Sequence, residues 1–545
     1  MVSDRNRWRR TLIGTLALLA SISVLLFGAV WLFDFFYLHR RVSPTEGPLT
    51  RLLDFDPDTL QNALGSLAQI IAAVLGIAIT VVSIVVQLAA NRYTSRVADM
   101  FFRDKTNLAV MGFFVVSCIN AVWVSLAVSR AYVPTATVIV TVGIVTASLL
   151  ALIPYFAYVF DFLDPEKVID RIGQQTLRTA LHETSHDRSD MEMRQGQTVT
   201  SMEQLADIAV NALAQKDKVI ASDAIRALRG VIVKYLPEKE RLPAPWFAIG
   251  RALRDNPDFV ALAPVSLGDL ARDRTWLEWK GLRQMRGVFL EAQKEMTEMA
   301  HVVAIETRYV GEAALACQDA EVAALAVKFM NTYLRAALNA RDVRTAYNVL
   351  NQYRQLAEAM LRVGQPATLD RVAEIATRFK YYAQLAQGMG LGFVAETAAY
   401  DLCTLCELAC EGASPVHDRL LGTFLEIDKE AEDSAQERAL RGIRKAQAKL
   451  AAYYLLRKMI EPAQKIFADM AMETTERLRS IRDELLSITT KDFWEVTDRG
   501  TNFDYVDEPR KARLREFFGW FPDLGEPGSP VRSTPAPSDP AGTPS

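Results

Sequence analysis

Long apolar runs fill about the first 160 residues of the chain, and amphipathic helical patterns fill most of the remainder. Four of the runs are long enough to cross the roughly 30 Å of hydrocarbon in a bilayer as helices. They predict transmembrane helices at residues 12–37, 64–90, 108–129 and 135–160. The first run follows a short N-terminal segment (1–11) and is too long for the apolar part of a signal peptide, so we interpret it as a retained anchor.

Beyond the fourth run, apolar residues recur every three or four positions, which predicts soluble helices. Asp164 and Pro165 have the residue types of a helix start. Ser201 opens a capping box, which predicts another helix start after the polar stretch 187–200. We assign residues 161–240 to juxtamembrane cytoplasmic helices on these patterns.

A larger helical domain is predicted at residues 241–520, where helical patterns alternate with short breaks. Helices joined by short connections pack as antiparallel neighbours, in a bundle or a solenoid. The tail 521–545 is rich in Pro, Ser, Gly and Thr, and we expect it to be disordered. The predicted fold class is therefore all-α, with four transmembrane helices followed by a large cytoplasmic α-helical domain of bundle or solenoid-like type.

Lysine and arginine near the spans predict the orientation of the chain. Two segments contain four positive residues each: the N-terminal segment has Arg5, Arg7, Arg9 and Arg10, and the loop 91–107 has Arg92, Arg96, Arg103 and Lys105. The loop 38–63 contains three, Arg40, Arg41 and Arg51. The short loop after the third span contains only Arg130. Cytoplasmic loops carry the excess of positive residues. We therefore expect both termini and the loop 91–107 in the cytoplasm, and the loop 38–63 on the other side of the membrane.

The second span carries its polar residues on one face, together with Ala73 and Gly76. At about 100° per residue, these residues fall within about 60° of Gln69. This polar stripe consists of Ser66, Gln69, Ala73, Gly76, Thr80, Ser83 and Gln87. Small residues let helices approach closely, and hydroxyl and amide groups bond across the contact, so the stripe predicts a packing surface. The alternative is that it lines a pore or cavity.

Asn120 in the third span is a further polar residue at membrane depth, and we expect it to pair with Gln69 or Thr80 of the stripe. No Asp, Glu, Lys or Arg lies deep in the second, third or fourth span. Because charge-coupled transporters need an ionisable group inside the membrane, this sequence argues against that class.

The stretch LGSLAQIIAAVLGIAITVVSIVVQLAANRYTSRV (64–97) resembles the core of a bacterial membrane-protein family catalogued as domain of unknown function 2254. The segment SMEQLADIAVNAL (201–213) is also similar to a family segment. Family members usually continue with a Pro-Gly-Ile-Asn-Asp-Pro-like turn, where this chain has AQKDKVIAS (214–222). The resemblance covers roughly residues 60–235 and implies a membrane location and no known activity.

The sequence HETSH, from His182 to His186, is the sharpest motif for catalysis. In zinc metalloproteases two histidines one helical turn apart bind zinc, and the glutamate acts as general base. His182 and His186 would then be the ligands and Glu183 the base. Charged residues follow His186, unlike the apolar continuation of a zinc-protease helix, so we favour an exposed helix end and keep the protease as the alternative.

Three cysteines, Cys403, Cys406 and Cys410, share one helical face, with His417 as a distant fourth candidate metal ligand. Leu402, Leu405 and Leu408 lie among the cysteines, so a helix-packing surface is the favoured interpretation.

The formal net charge of −3 gives no indication of a nucleic-acid partner. We expect an integral membrane protein that is not an enzyme and has no cofactor. It would be a scaffold, sensor or channel-like protein whose cytoplasmic domain binds a protein partner, with homo-oligomerisation left open. The alternative is a membrane-anchored metalloprotease with zinc as its cofactor.

Overall fold

A computed structural model describes residues 56–92, 101–130, 132–182, 188–428, 434–492, 499–500, 502–522 and 524, together with Leu25, Ala29 and Phe33. These residues form helices joined by turns and loops, with one isolated bridge between Ser129 and Tyr132 and no strand among them. They divide into two compact units, Met1–Arg171 and Ile172–Ser545. The all-helical fold class is confirmed for the described residues.

The first unit, which we call the membrane unit, contains α1 (Pro57–Arg92), α2 (Lys105–Ala127) and α3 (Thr135–Phe162), followed by the start of α4 (Pro165–Ala180). Helices α1, α2 and α3 are long and apolar enough to cross a membrane. The predicted span at 12–37 lies outside the described residues except for Leu25, Ala29 and Phe33, which are helical. The fourth transmembrane helix therefore stays a prediction.

Helix α1 begins at Pro57, earlier than the span predicted from residue 64. The carboxylate of Asp56 accepts hydrogen bonds from the backbone N–H and the hydroxyl of Thr59, at 2.9 and 2.6 Å. Proline suits the first helical position, where its missing N–H has no intrahelical partner. The cap at Asp56 thus stabilises the polar first turns of α1 as helix. Hydropathy detects only the apolar part of α1, which is why the span was predicted to begin later.

The second unit, which we call the helical unit, contains sixteen further helices among the described residues. They are α5 (Arg188–Ala214), α6 (Lys218–Tyr235), α7 (Arg251–Arg254), α8 (Pro257–Val260), α9 (Pro264–Arg272), α10 (Trp276–Glu295), α11 (Thr297–Ala316), α12 (Ala320–Asn339), α13 (Val343–Val363), α14 (Pro366–Gly388), α15 (Gly392–Glu411), α16 (His417–Leu425), α17 (Ser434–Leu456), α18 (Ile460–Met470), α19 (Thr475–Ser487) and α20 (Glu508–Phe518). Two 3₁₀ turns, Leu236–Arg241 and Ala244–Phe247, follow α6.

The predicted helix start at Ser201 is wrong, because α5 runs unbroken from Arg188 to Ala214. Three polar residues before Ser201 are nevertheless buried, namely Arg194, Gln195 and Thr198. Arg194 donates to the carbonyls of Thr179 and Ala180 at the end of α4, and the Gln195 amide donates to the carbonyls of Trp246 and Ala248. A helix that buries hydrogen-bonded polar side chains does not show an apolar face in the sequence.

Helices of the helical unit stack in two layers. Each long helix from α10 to α15 packs against the next helix in the chain and against the next but one. Helices α11, α13, α15 and α17 thereby form one continuous layer. Helices α5 and α6 pack against α10 and α11 of the same unit. This stacking of antiparallel helices is typical of helical-repeat proteins.

Three of the turns between stacked helices share one geometry. Lys216, Gln318 and Arg341 adopt left-handed backbone conformations, with φ of 59°, 59° and 54°. In each turn the next residue is an aspartate (217, 319 and 342) whose side chain caps the following helix. The aspartate N–H also bonds the carbonyl five residues earlier, as in a Schellman motif.

Candidate functional site: the polar stripe and the contacts of the membrane unit

Helices α1, α2 and α3 pack through apolar side chains. Ile71 of α1, Phe114 of α2 and Val145 of α3 are fully or almost fully buried in one cluster. A second cluster, toward the start of α1, joins Leu64 to Val124. The described helices therefore meet through aliphatic and aromatic packing between α1 and its neighbours.

Hydroxyl and amide groups join α2 to α3. The hydroxyls of Ser117 and Ser148 lie 2.6 Å apart in a buried contact, and the Asn120 amide donates to the Thr141 hydroxyl at 2.9 Å. Asn120 thus pairs with α3, and the expectation that it pairs with the stripe on α1 is wrong. Ser117, Thr141 and Ser148 were not predicted as contact residues.

Polar contacts also hold both ends of the three helices. Arg130, after α2, pairs with Asp58 in the first turn of α1 at 2.8 Å. At the opposite end, the Tyr158 hydroxyl donates to the carboxylate of Asp104 at 2.5 Å. Burial alone would raise the pKa of Asp104, but bonds from Tyr158 and from the Thr106 N–H outweigh it and lower that pKa. Asp104 is therefore an anion that also caps α2.

The polar stripe faces away from α2 and α3. Ser66, Gln69, Gly76, Thr80 and Gln87 are exposed, as is Ala73, and Ser83 is half-buried. The buried residues of α1 are Leu60, Leu64, Ala68, Ile71, Ala78, Val82, Val86 and Ala89. At about 100° per residue, their mean direction lies roughly 150° around the helix from the stripe. The stripe is consequently not the face by which α1 contacts α2 and α3.

The space beside Gly76, at the middle of the stripe, holds none of the described side chains. A Cβ atom added at Gly76 would meet no atom within 4 Å. Thr80 turns its hydroxyl back to the Gly76 carbonyl at 2.9 Å, which satisfies it within α1. The structure shows no hydrogen bond from Gln69 or Gln87 to another residue that it describes.

The spacing of the stripe is a strict heptad pattern. Ser66, Ala73, Thr80 and Gln87 follow one another at seven-residue intervals, and Gln69, Gly76, Ser83 and Ala90 repeat with the same interval, offset by three. An alternating three- and four-residue spacing is the pattern by which two helices pack at a shallow left-handed crossing. Small residues at those positions are typical of helix pairs in membranes.

The residues predicted as metal ligands lie outside the polar stripe and the three membrane helices. His182 is exposed, while Glu183 and His186 lie outside the described residues. Within the described part of the chain, no group of three His, Cys, Asp or Glu side chains could hold a metal ion. Cys403 and Cys406 are buried on α15, and burial raises the pKa of each thiol. The Nε2 atom of His417 lies 2.8 Å from the Tyr454 hydroxyl.

Comparison with known proteins bears on the membrane part of the chain. No curated protein matches the sequence at a significant level. A solved structure titled "Circular tandem repeat protein with novel repeat topology and enhanced subunit contact surfaces" aligns over 85% of this chain and 96% of its own, at 16% identity and a TM-score of 0.25, which is too low to support any conclusion. A family model described as "Predicted membrane protein (DUF2254)" matches residues 8–201, so the chain is a membrane protein whose N-terminal region matches this family, as the sequence resemblance indicated.

Proposed function

We propose that this protein is a non-enzymatic scaffold of the bacterial inner membrane, in which two copies pair through the polar stripe of α1. The observation that carries the proposal is the direction of the stripe, which lies opposite the face that α1 uses for α2 and α3. The helical unit would then present two copies of one binding surface to a protein partner in the cytoplasm.

Pairing of two α1 helices would provide hydrogen-bonding partners for the polar side chains of the stripe, which a single copy exposes to lipid. Hydrocarbon offers no hydrogen-bonding partner, so the amides of Gln69 and Gln87 are costly when they face lipid. In a twofold interface the same patch meets itself, and each glutamine can bond across to the partner helix. Gly76 at the middle lets the two backbones approach closely.

The substitution Gly76→Leu tests the pairing. Within one copy the added side chain enters open space, so the fold should survive. Between copies it forces the backbones apart, and we expect association to weaken about five- to thirtyfold, which corresponds to a loss of about 1–2 kcal/mol. Sedimentation or energy transfer between labelled copies in bilayers measures the dimer fraction.

Gly112→Leu on α2 and Gly143→Leu on α3 are matched controls. Both glycines are exposed, both lie in spans outside the stripe, and an added Cβ would meet nothing within 4 Å at either. They should leave association unchanged. Equal dimer fractions for Gly76→Leu and the two controls would contradict the stripe as the contact.

The channel-like alternative places several stripes around water. Single cysteines at Gln69, Thr80 and Gln87, in a background without Cys118, would then react with water-soluble thiol reagents through the bilayer centre. Cysteines at Val74, Val81 and Val85 would not. A packing surface leaves both sets unreactive at the centre. The zinc-protease alternative, with His182, Glu183 and His186, has no support from the described residues.

A further inference from the structure

A short non-helical segment before α20 lies in a groove of the helical unit. We call residues 502–507 the docking segment. The Tyr505 N–H donates to the Asn502 carbonyl at 3.1 Å, and the Asp504 N–H donates to the Asn502 side chain at 3.0 Å. This turn directs the side chains of Phe503 and Asp504 toward α15 and α17.

Phe503 occupies an aromatic slot. Its ring stacks on Tyr400 of α15, with centroids 4.6 Å apart and the planes inclined by 10°. Tyr347 of α13 and Phe393 of α15 lie farther out, with centroids 6.3 and 6.5 Å from that of Phe503. Phe393 is 48% exposed, so the slot is open to solvent on that side.

Asp504 and the adjacent backbone meet two lysines of α17. The Asp504 carboxylate accepts hydrogen bonds from Lys445 and from the Tyr400 hydroxyl, each at 2.8 Å. Lys449 donates to the Phe503 carbonyl and lies 5.1 Å from the centroid of the Tyr400 ring. Charge-assisted hydrogen bonds of this kind are about twice as strong as neutral ones, so the groove selects an acidic residue beside the aromatic one.

The groove has the composition of a peptide-binding site. Stacked helices of repeat proteins present extended surfaces to partner chains, and this surface combines an aromatic slot with two converging ammonium groups. We propose that the groove between α15 and α17 binds a partner peptide that carries an aromatic residue followed by Asp or Glu. The docking segment occupies that site in the free protein and competes with the partner. This proposal is independent of pairing through the polar stripe.

The competition sets the expected affinity. A segment tethered beside its site acts at an effective concentration of the order of millimolar. The apparent affinity of a partner is its intrinsic affinity multiplied by the fraction of protein whose groove is open. Wild-type protein should therefore bind a free peptide weakly, and a variant whose own segment is released should bind it at least tenfold more tightly.

The test uses full-length protein in nanodiscs and a fluorescent synthetic peptide with the sequence of residues 499–507, RGTNFDYVD. The double variant Phe503→Ala, Asp504→Ala removes the two side chains that fill the groove. We expect its affinity for the probe to exceed that of wild type at least tenfold, by fluorescence anisotropy. A control peptide with alanine in place of the phenylalanine and lysine in place of the first aspartate should not bind.

A second measurement covers the case in which the double variant does not fold. Excess probe added to wild-type protein should displace the docking segment, and the backbone amides of Asp504 and Tyr505 should then exchange hydrogen faster. The control peptide should leave their exchange unchanged. Absence of binding to a folded double variant, or unchanged exchange in wild type when the variant does not fold, would show that the segment is a fixed part of the core and overturn the proposal.

Discussion

One fully buried charge of the helical unit, Lys280, is held by several polar partners. Lys280 of α10 is fully buried, and its ammonium group donates to Glu203 at 2.8 Å, to Asn256 at 3.2 Å and to the carboxylate of Asp258. Arg283 donates to the same carboxylate at 3.2 Å. From the sequence, Lys280 resembles a surface residue among other charges. Its role depends on α5 and α8, which the sequence does not place beside α10.

Asp258 gives a prediction for the pH dependence of stability. Burial alone would raise its pKa, but the bonds and charges of Lys280 and Arg283 outweigh burial and lower that pKa. A carboxyl group with a lowered pKa in the folded state stabilises the fold above its unfolded pKa of about 3.9, and the stabilisation is lost as the pH falls through the folded value. Lys280 keeps Glu203 as a partner in Asp258→Asn, so this change should reduce the free energy of unfolding by roughly 1–3 kcal/mol at pH 7.

Denaturant titrations near pH 7, 4 and 3 measure this effect. The difference between wild type and Asp258→Asn should be constant down to about pH 4 and should shrink below it. Asp255→Asn is the matched control, because the Asp255–Arg251 pair is exposed and surface pairs contribute at most about 1 kcal/mol. A stability difference that stays constant down to pH 3 would show that Asp258 acts through packing and not through its charge.

At the scale of helices, the sequence periodicity identified the polar stripe on α1, but it did not show which face of α1 contacts α2 and α3. The stripe follows from the spacing of small and polar residues. Its direction depends on which face the neighbouring helices choose, and they pack on the aliphatic face. The same reason applies to Asn120. Its partner Thr141 is set by the contact of α2 with α3, which a single helical pattern does not encode.

The recurring turn between stacked helices was readable in the sequence but was not recognised there. The stretches LAQKD (213–217), LACQD (315–319) and LNARD (338–342) share a leucine, a long side chain at the fourth position and a final aspartate. The fourth residue takes the left-handed conformation and the aspartate caps the next helix. Without glycine at that position, the usual signal of a helix end was missing.

Gln318→Gly tests the cost of this turn. A residue with a Cβ is strained at φ of 59°, and glycine is not, so the free energy of unfolding should rise by about 0.5–1 kcal/mol. Cys317→Gly is the control. Residue 317 has φ of −86°, where glycine relieves no strain, so this change should not stabilise the protein. Thermal unfolding of both variants measures the shifts, and a loss of stability in Gln318→Gly would refute the strain at this turn.

At the scale of the whole molecule, the end contacts of the membrane unit fix which loops share a side of the bilayer. Asp58 at the start of α1 pairs with Arg130 after α2, and Asp104 before α2 pairs with Tyr158 near the end of α3. Helices α1, α2 and α3 therefore alternate in direction. The sequence predicted this alternation because consecutive transmembrane helices cross the bilayer in opposite directions. Which end of the three helices faces the cytoplasm is predicted separately, from the positive residues of the loops.

The end with Asp104 also carries Arg103 and Lys105, and the other end carries Arg130 alone in its short loop. Because cytoplasmic loops carry the excess of positive residues, we expect the Asp104 end to face the cytoplasm. Reporters fused after Asp99 and after Glu240 should thus be cytoplasmic, and reporters after Glu46 and after Tyr132 should be external. An N-terminal tag should be cytoplasmic if residues 12–37 span the membrane. An external tag combined with an external reporter at Glu46 would show that residues 12–37 do not span the membrane. A cytoplasmic reporter at Tyr132 would show that α1, α2 and α3 have the opposite orientation.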